Sequence, residues 1–222
     1  MRQANIQKRR RYSARATEVW NRTELALLRT LDRPEKIQAC LDGLTYSASE
    51  ACRSPRRVIR DGVAHCMDGA MLAAAALRLH GRGCRVIDLC AVRDDDHILA
   101  LFQERGCWGA LSKSNFSGLR FREPVYRTLR ELVMSYFDSY FNTIREKTLR
   151  SFSRPVDLRR FDPIDWMTTE ADLDDPIGRH LTDIPHTRLL TPAMIRALRP
   201  VDQRSYDAAM VGVNPAGLYH AG

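Results

Sequence analysis

The run His65-Cys66-Met67-Asp68-Gly69-Ala70-Met71-Leu72-Ala73-Ala74-Ala75-Ala76-Leu77-Arg78-Leu79 has the composition of a central helix. Beyond its first turn, and apart from Arg78, it is apolar almost all round, which predicts burial in a core rather than a place on the surface. Gly81 and Gly83 mark its end. The apolar part, Ala70 to Leu79, is far shorter than the roughly 20 residues that cross a bilayer, so no membrane span is expected. The polar groups His65, Cys66 and Asp68 gather at the N-terminal end. The helix dipole is positive there, which is expected to lower a thiol's pKa and makes Cys66 a candidate nucleophile.

Downstream, Cys84 to Val92, His97 to Phe102 and Cys107 to Ser112 read as strands, the last two joined as a β-hairpin through Gln103-Glu104-Arg105-Gly106. Both parities of the His97 strand are apolar (Ile98, Ala100, Phe102 and Leu99, Leu101), which predicts a central strand covered on both faces. Leu119 to Val125 is a fourth candidate strand, stopping near Pro124. Upstream, helices are expected over Thr17 to Leu31 and from Pro34 to about Leu41, with a helical turn over Pro55 to Ile59. From Tyr126 the period turns helical: Tyr126, Leu129, Val133, Tyr136, Phe137, Tyr140 and Ile144 share one face, predicting a helix packed on the sheet. Beyond Leu149 prolines punctuate the chain.

The expected fold class is therefore α+β, a buried Cys-bearing helix packed on a mainly antiparallel sheet with flanking helices. Residues 1–16 read as a basic arm, 17–149 as the core domain and 150–222 as an extension packed on that core. The net charge is +8 over 222 residues, yet the first 60 residues hold 14 Lys/Arg against 6 Asp/Glu and the rest 21 of each. The excess lies at the N-terminus, around Lys8-Arg9-Arg10-Arg11, where a solvated tail is favoured over a contact with nucleic acid or anionic lipid. Met1 to Arg15 contains no continuous apolar run, so a cytoplasmic location is expected. The six cysteines form no CxxC pair, which favours reduced thiols over disulfides or zinc.

A thiolate nucleophile needs a partner that holds its proton and returns it to a leaving amine, and a histidine on a neighbouring strand serves. His97 opens such a strand. A Cys at the start of an Ala/Leu-rich helix, a strand after a Gly-containing turn, a His beginning the next strand and a Trp on the one after, here Trp108, together resemble the transglutaminase-like family over residues 34–115. The resemblance implies a transglutaminase-like core with Cys66 and His97 as a Cys-His pair, acting on a peptide or protein amide as a peptidase, amidase or transglutaminase. No cofactor is implied. Where the family usually carries an Asp, this chain has Ser112, which accepts a hydrogen bond but cannot stabilise an imidazolium by charge. Asn115 is an alternative orienting group, and Asp94, Asp95 and Asp96 precede His97 directly.

Each of these residues also has an ordinary explanation. Most buried free cysteines only fill space. A histidine at a strand start is commonly structural. His65 with Cys84 or Cys90 lacks the ligand spacing of a structural zinc site. Asp172, Asp174 and Asp175 lack a calcium-loop pattern and read as solvated charges. A catalytically silent binding module, contacting nucleic acid or acidic protein through the basic arm, is the alternative function.

Overall fold

A computed structural model gives the structure of the protein and describes residues 19–219. The basic arm expected over residues 1–16 lies outside the described residues. Asn21 opens α1 (Arg22–Thr30) with a capping box: its Oδ1 accepts from the Glu24 N–H at 2.9 Å, and Glu24 Oε2 accepts from the Asn21 N–H at 2.9 Å. The helix expected from Thr17 thus starts at Arg22, after this cap. α2 (Pro34–Gly43) carries its proline in the first turn. The strands β1 (Thr45–Tyr46) and β2 (Val63–Ala64) pair in parallel on either side of α3 (Pro55–Asp61), which Gly62 closes in the left-handed conformation at φ 68°. Then comes the central helix, α4 (Cys66–Leu79), capped by His65.

The sheet follows: β3 (Arg85–Ala91), β4 (His97–Glu104), β5 (Cys107–Leu111) and β6 (Arg122–Tyr126), then β7 (Leu149–Ser153), β8 (Val156–Asp157) and β9 (His186–Arg188). Among the described residues these form one seven-stranded antiparallel sheet in the order β6-β5-β4-β3-β7-β9, with β8 pairing β3 beside Arg85 and Val86. The β4–β5 hairpin closes through Arg105 and Gly106, both at positive φ (51° and 82°), as a two-residue hairpin turn requires.

The core has two parts, one on each face of the sheet. On one face α4 lays Ala70, Ala73, Ala74 and Leu77 among Val86, Ile98, Ala100 and Phe102, while α1, α2 and α3 cover its other flanks. On the other face Ile87, Leu89, Leu99 and Leu101 meet Leu132, Val133, Tyr136 and Tyr140. β4 is central and covered on both sides, as its two apolar parities require. The fold is α+β, with a buried Cys-bearing helix against an antiparallel sheet.

The aromatic stripe after Tyr126 forms no long helix. Only α5 (Leu129–Met134) is regular; Tyr126 belongs to β6, and Ile144 is 58% exposed. Polar side chains along the segment take over its backbone groups. Ser135 Oγ donates to the Leu132 carbonyl at 2.6 Å, and Asn142 Oδ1 accepts from the N–H groups of Ile144 and Glu146 at 3.2 and 3.0 Å. The segment after residue 149 also contributes to the sheet itself, since β7 lies beside β3 inside it and β9 forms its edge. Two short helices, α6 (Arg179–Asp183) and α7 (Pro192–Arg196), and then α8 (Gln203–Met210) are the last α-helices among the described residues. Arg78, the one cation of α4, holds this part by a bidentate ion pair with Asp162 at 2.5 and 2.8 Å, and Trp166 donates to the same carboxylate at 3.1 Å.

Gly69 of α4 lies tight against the chain just after β5, where a Cβ would stand 2.4 Å from Lys113 Cβ, whereas nothing lies within 4 Å of one at Gly43. Gly69→Ala is expected to lower unfolding free energy in urea by about 1–3 kcal/mol, with Gly43→Ala within about 1 kcal/mol of the parent. Equal effects would mean that the close approach costs nothing to relieve.

Candidate functional site

Where α4 begins, the chain changes from packing to polar contacts. His65 caps the helix, its Nδ1 accepting from the Met67 N–H at 3.2 Å, and Asp68 Oδ2 accepts in turn from the His65 N–H at 3.2 Å. His65 Nε2 lies 3.2 Å from the Ala51 carbonyl, which can only accept, so the ring proton is on Nε2. Asp68, fully buried, also accepts from the Arg53 backbone at 2.6 Å and from its guanidinium at 3.2 Å. Cys52, His65 and Asp68 bring potential metal-ligand atoms within 4.8 Å of one another. These histidine and aspartate atoms are already engaged in starting the helix, and the cluster is explained by that task. Cys84 and Cys90 do not join His65: Cys84 lies against Asp157 and Cys90 on β3.

This helix start forms one wall of a cavity of about 640 Å³, lined among others by Cys66, His97, Asp88 and the Asp94-Asp95-Asp96 turn. Cys66 Sγ points its proton at the Asp96 carbonyl, 3.8 Å away. Burial, with Asp68, Asp88 and Asp95 close by, pushes its thiol up to about 12; only the Ile98 backbone acts the other way. The shift is opposite to the one expected from the helix dipole alone. Low dielectric and three carboxylates outweigh a partial charge.

His97 is 5% exposed. Its Nε2 lies 2.8 Å from the Leu119 carbonyl and 2.8 Å from Ser112 Oγ. The carbonyl can only accept, so Nε2 carries the proton, which it shares between the two oxygens, and the Ser112 hydroxyl donates onward to the Lys113 carbonyl at 3.1 Å. Nδ1 is left as a bare acceptor without a hydrogen-bond partner among the described residues. Burial pushes the imidazole down to about 4, against the help of the Leu119 carbonyl. No hydrogen bond joins Cys66 to His97.

Of the four residues singled out in the sequence, Cys66 and His97 share the cavity, and Ser112 fixes the ring. Asn115 makes no hydrogen bond to the ring. Its amide donates to the carbonyls of Asn214 and Gly217 at 3.0 and 3.1 Å, and its Oδ1 accepts from the Asn214 N–H at 2.8 Å. It thereby holds the C-terminal segment, whose residues Ala216 to Tyr219 line the cavity. The Asp94-Asp95-Asp96 turn is fixed by Thr148 Oγ1 on Asp94 at 2.6 Å, by the Ala91 N–H on Asp96 at 2.8 Å and by Tyr140, whose hydroxyl donates to the Asp95 carbonyl at 2.7 Å. Asp172, Asp174 and Asp175 are exposed, and Asp172 also staples a loop by accepting from the Cys52 and Asp174 N–H groups at 3.0 and 2.9 Å.

Sequence reasoning missed the Leu119 carbonyl, the C-terminal wall and the buried Asp88. The last had a signal, a lone carboxylate among Val86, Ile87 and Leu89. Among the described residues no helix is long and apolar enough to cross a membrane. No protein-family model matches the chain, and no curated protein matches it in sequence.

The depressed His97 sets a pH test. Between its folded value of about 4 and its ordinary 6.5 the unfolded chain binds the extra proton, so stability rises with pH across this window and is lost as pH falls through it. Urea unfolding at pH 7 and pH 4 should show the parent losing on the order of 3 kcal/mol more than His97→Gln. Equal losses would place the imidazole in water.

Proposed function

We propose that this protein is a Cys-His acyl-transfer enzyme with a transglutaminase-like core, acting on amide bonds. One observation carries the proposal: the proton of His97 is held on Nε2, leaving Nδ1 unprotonated and unpartnered among the described residues, and His97 lines the same cavity as Cys66. A general base for a thiol needs this tautomer.

The resting pair is a neutral thiol and a neutral imidazole, so attack and proton transfer go together. Cys66 turns from the Asp96 carbonyl, its proton passes to Nδ1, and Sγ bonds to the amide carbon. The C–N bond then breaks as Nδ1 gives that proton to the leaving amine, and a thioester remains. Water or a second amine attacks the thioester, its proton passing through Nδ1 back to sulfur. Backbone N–H groups at the start of α4 are the natural donors for the transient oxyanion. Leu119 and Ser112 stabilise the imidazolium through dipoles, where an Asp would supply a full charge, and the reaction is correspondingly slower than with an Asp in place.

The alternative, a silent binding module, is favoured by the raised thiol and lowered imidazole. Iodoacetamide alkylation of the six cysteines, read by peptide mass spectrometry, separates the two. His97→Ala should slow alkylation of Cys66 by about 100-fold or more at pH 8 and leave the other five cysteines unchanged. Ser112→Ala, which keeps the Leu119 contact, should cost about tenfold. An unchanged Cys66 rate in His97→Ala would leave the silent module standing.

A further inference from the structure

The cavity's charge runs against that of the chain. The protein carries a net +8, yet the lining holds six carboxylates, Glu50, Asp88, Asp94, Asp95, Asp96 and Asp174, and no lysine or arginine. The only other titratable nitrogens in the lining are His65, whose ring is committed to capping α4, and His97, which burial keeps neutral.

Acidic side chains often cluster without a ligand, and Asp88 supplies the independent observation. It sits on β3 at 2% exposure, and its Oδ2 meets His186 Nε2 at 3.2 Å. Its Oδ1 is buried and has no hydrogen-bond partner. A buried carboxylate oxygen without a donor is costly, and such a group is normally completed by protein, water or ligand. Asp95, on the adjoining turn, also has no donor on its carboxylate among the described residues. The turn that carries it is held in place by Thr148, Ala91 and Tyr140, so a cation would meet a formed wall.

We propose that Asp88, Asp95 and Asp96 form a subsite for an organic cation, a guanidinium or ammonium group, beside Cys66. Resting on the acyl-transfer function, this makes the substrate an amide with a basic side chain next to the bond attacked. An inorganic ion fits less well, because among the described residues the one grouping of three close ligand atoms is Cys52, His65 and Asp68, not the wall aspartates. Carboxylates spread along a cavity of about 640 Å³ suit a longer, flexible cation. The aromatic rings of Tyr46 and Phe116 in the same lining suit its stem. The arrangement also has a chemical consequence. Burial chiefly holds the thiol protonated, with Asp68, Asp88 and Asp95 adding to it; a bound cation would offset the share of Asp88 and Asp95, so the correct substrate would itself favour ionisation of the nucleophile.

Isothermal titration calorimetry on the full chain carrying Cys66→Ala tests the subsite without turnover. Nα-acetyl-arginine amide should bind about tenfold or more tightly than Nα-acetyl-citrulline amide, its neutral near-isostere, at fixed ionic strength. Asp95→Asn, at an exposed position without a partner, and Asp88→Asn should each reduce that preference. Equal affinities, no binding of either amide, or a preference that survives both substitutions would overturn the proposal, as would calcium chloride binding more tightly than the arginine amide. Because binding is read without Cys66, failure here is distinct from failure of acyl transfer, which the alkylation rates report.

Discussion

Everything in this structure depends on burying one helix that has no polar side to show to water. α4 is apolar round its circumference, so it needs a sheet on one flank and helices on the others, and β3, β4 and α1 to α3 meet that need. Fully burying a Leu or Met side chain is worth about 1.5–3 kcal/mol. Ala70, Ala73 and Ala74 add little each, but they bring the helix close to the strands, and Gly69 allows contact with Lys113. A close-packed helix has a fixed position along its axis. Its first residue, Cys66, is therefore fixed as well.

The helix start is where polar groups become unavoidable. Four N–H groups at a helix N-terminus lack partners within the helix, and here the His65 ring takes that of Met67 while the Asp68 carboxylate takes that of His65. Asp68 has in turn to be neutralised, and Arg53 does so through both backbone and guanidinium. The buried Cys-His-Asp cluster thus follows from ending an apolar helix inside a protein. Its product is a rim of polar atoms around a cavity, with a thiol, an imidazole of fixed tautomer and a wall of carboxylates set into it.

The electrostatics of that rim decide the chemistry. Burial keeps both the thiol and the imidazole neutral, and the nearby carboxylates add to the effect on the thiol alone. A papain-style ion pair would need a charge arrangement of the other sign. The proton path proposed for catalysis is therefore concerted, and a cationic substrate is the simplest agent that would make the site more reactive.

The sequence by itself determined the elements whose physics is local or periodic. The all-apolar run after His65 required a buried helix, the double parity after His97 required a central strand, and Gln103-Glu104-Arg105-Gly106 marked a hairpin, whose turn the structure narrows to Arg105-Gly106. The residues facing the cavity were legible to the extent that they sit at the ends of such elements, as Cys66 and His97 do. Three things were decided only by tertiary structure. The stripe from Tyr126 to Ile144 had helical spacing, but Ser135 and Asn142 captured its backbone groups, and its rings are buried from a short helix and the irregular chain that follows it. The partner of His97 Nε2 includes a backbone carbonyl at Leu119, and no sequence pattern marks a carbonyl as an acceptor for a side chain 22 residues away. The sign of the Cys66 shift depended on how many carboxylates crowd the thiol and how dry the site is. Both are sums over residues brought together from distant parts of the chain, and long-range sums are what folding adds to a sequence.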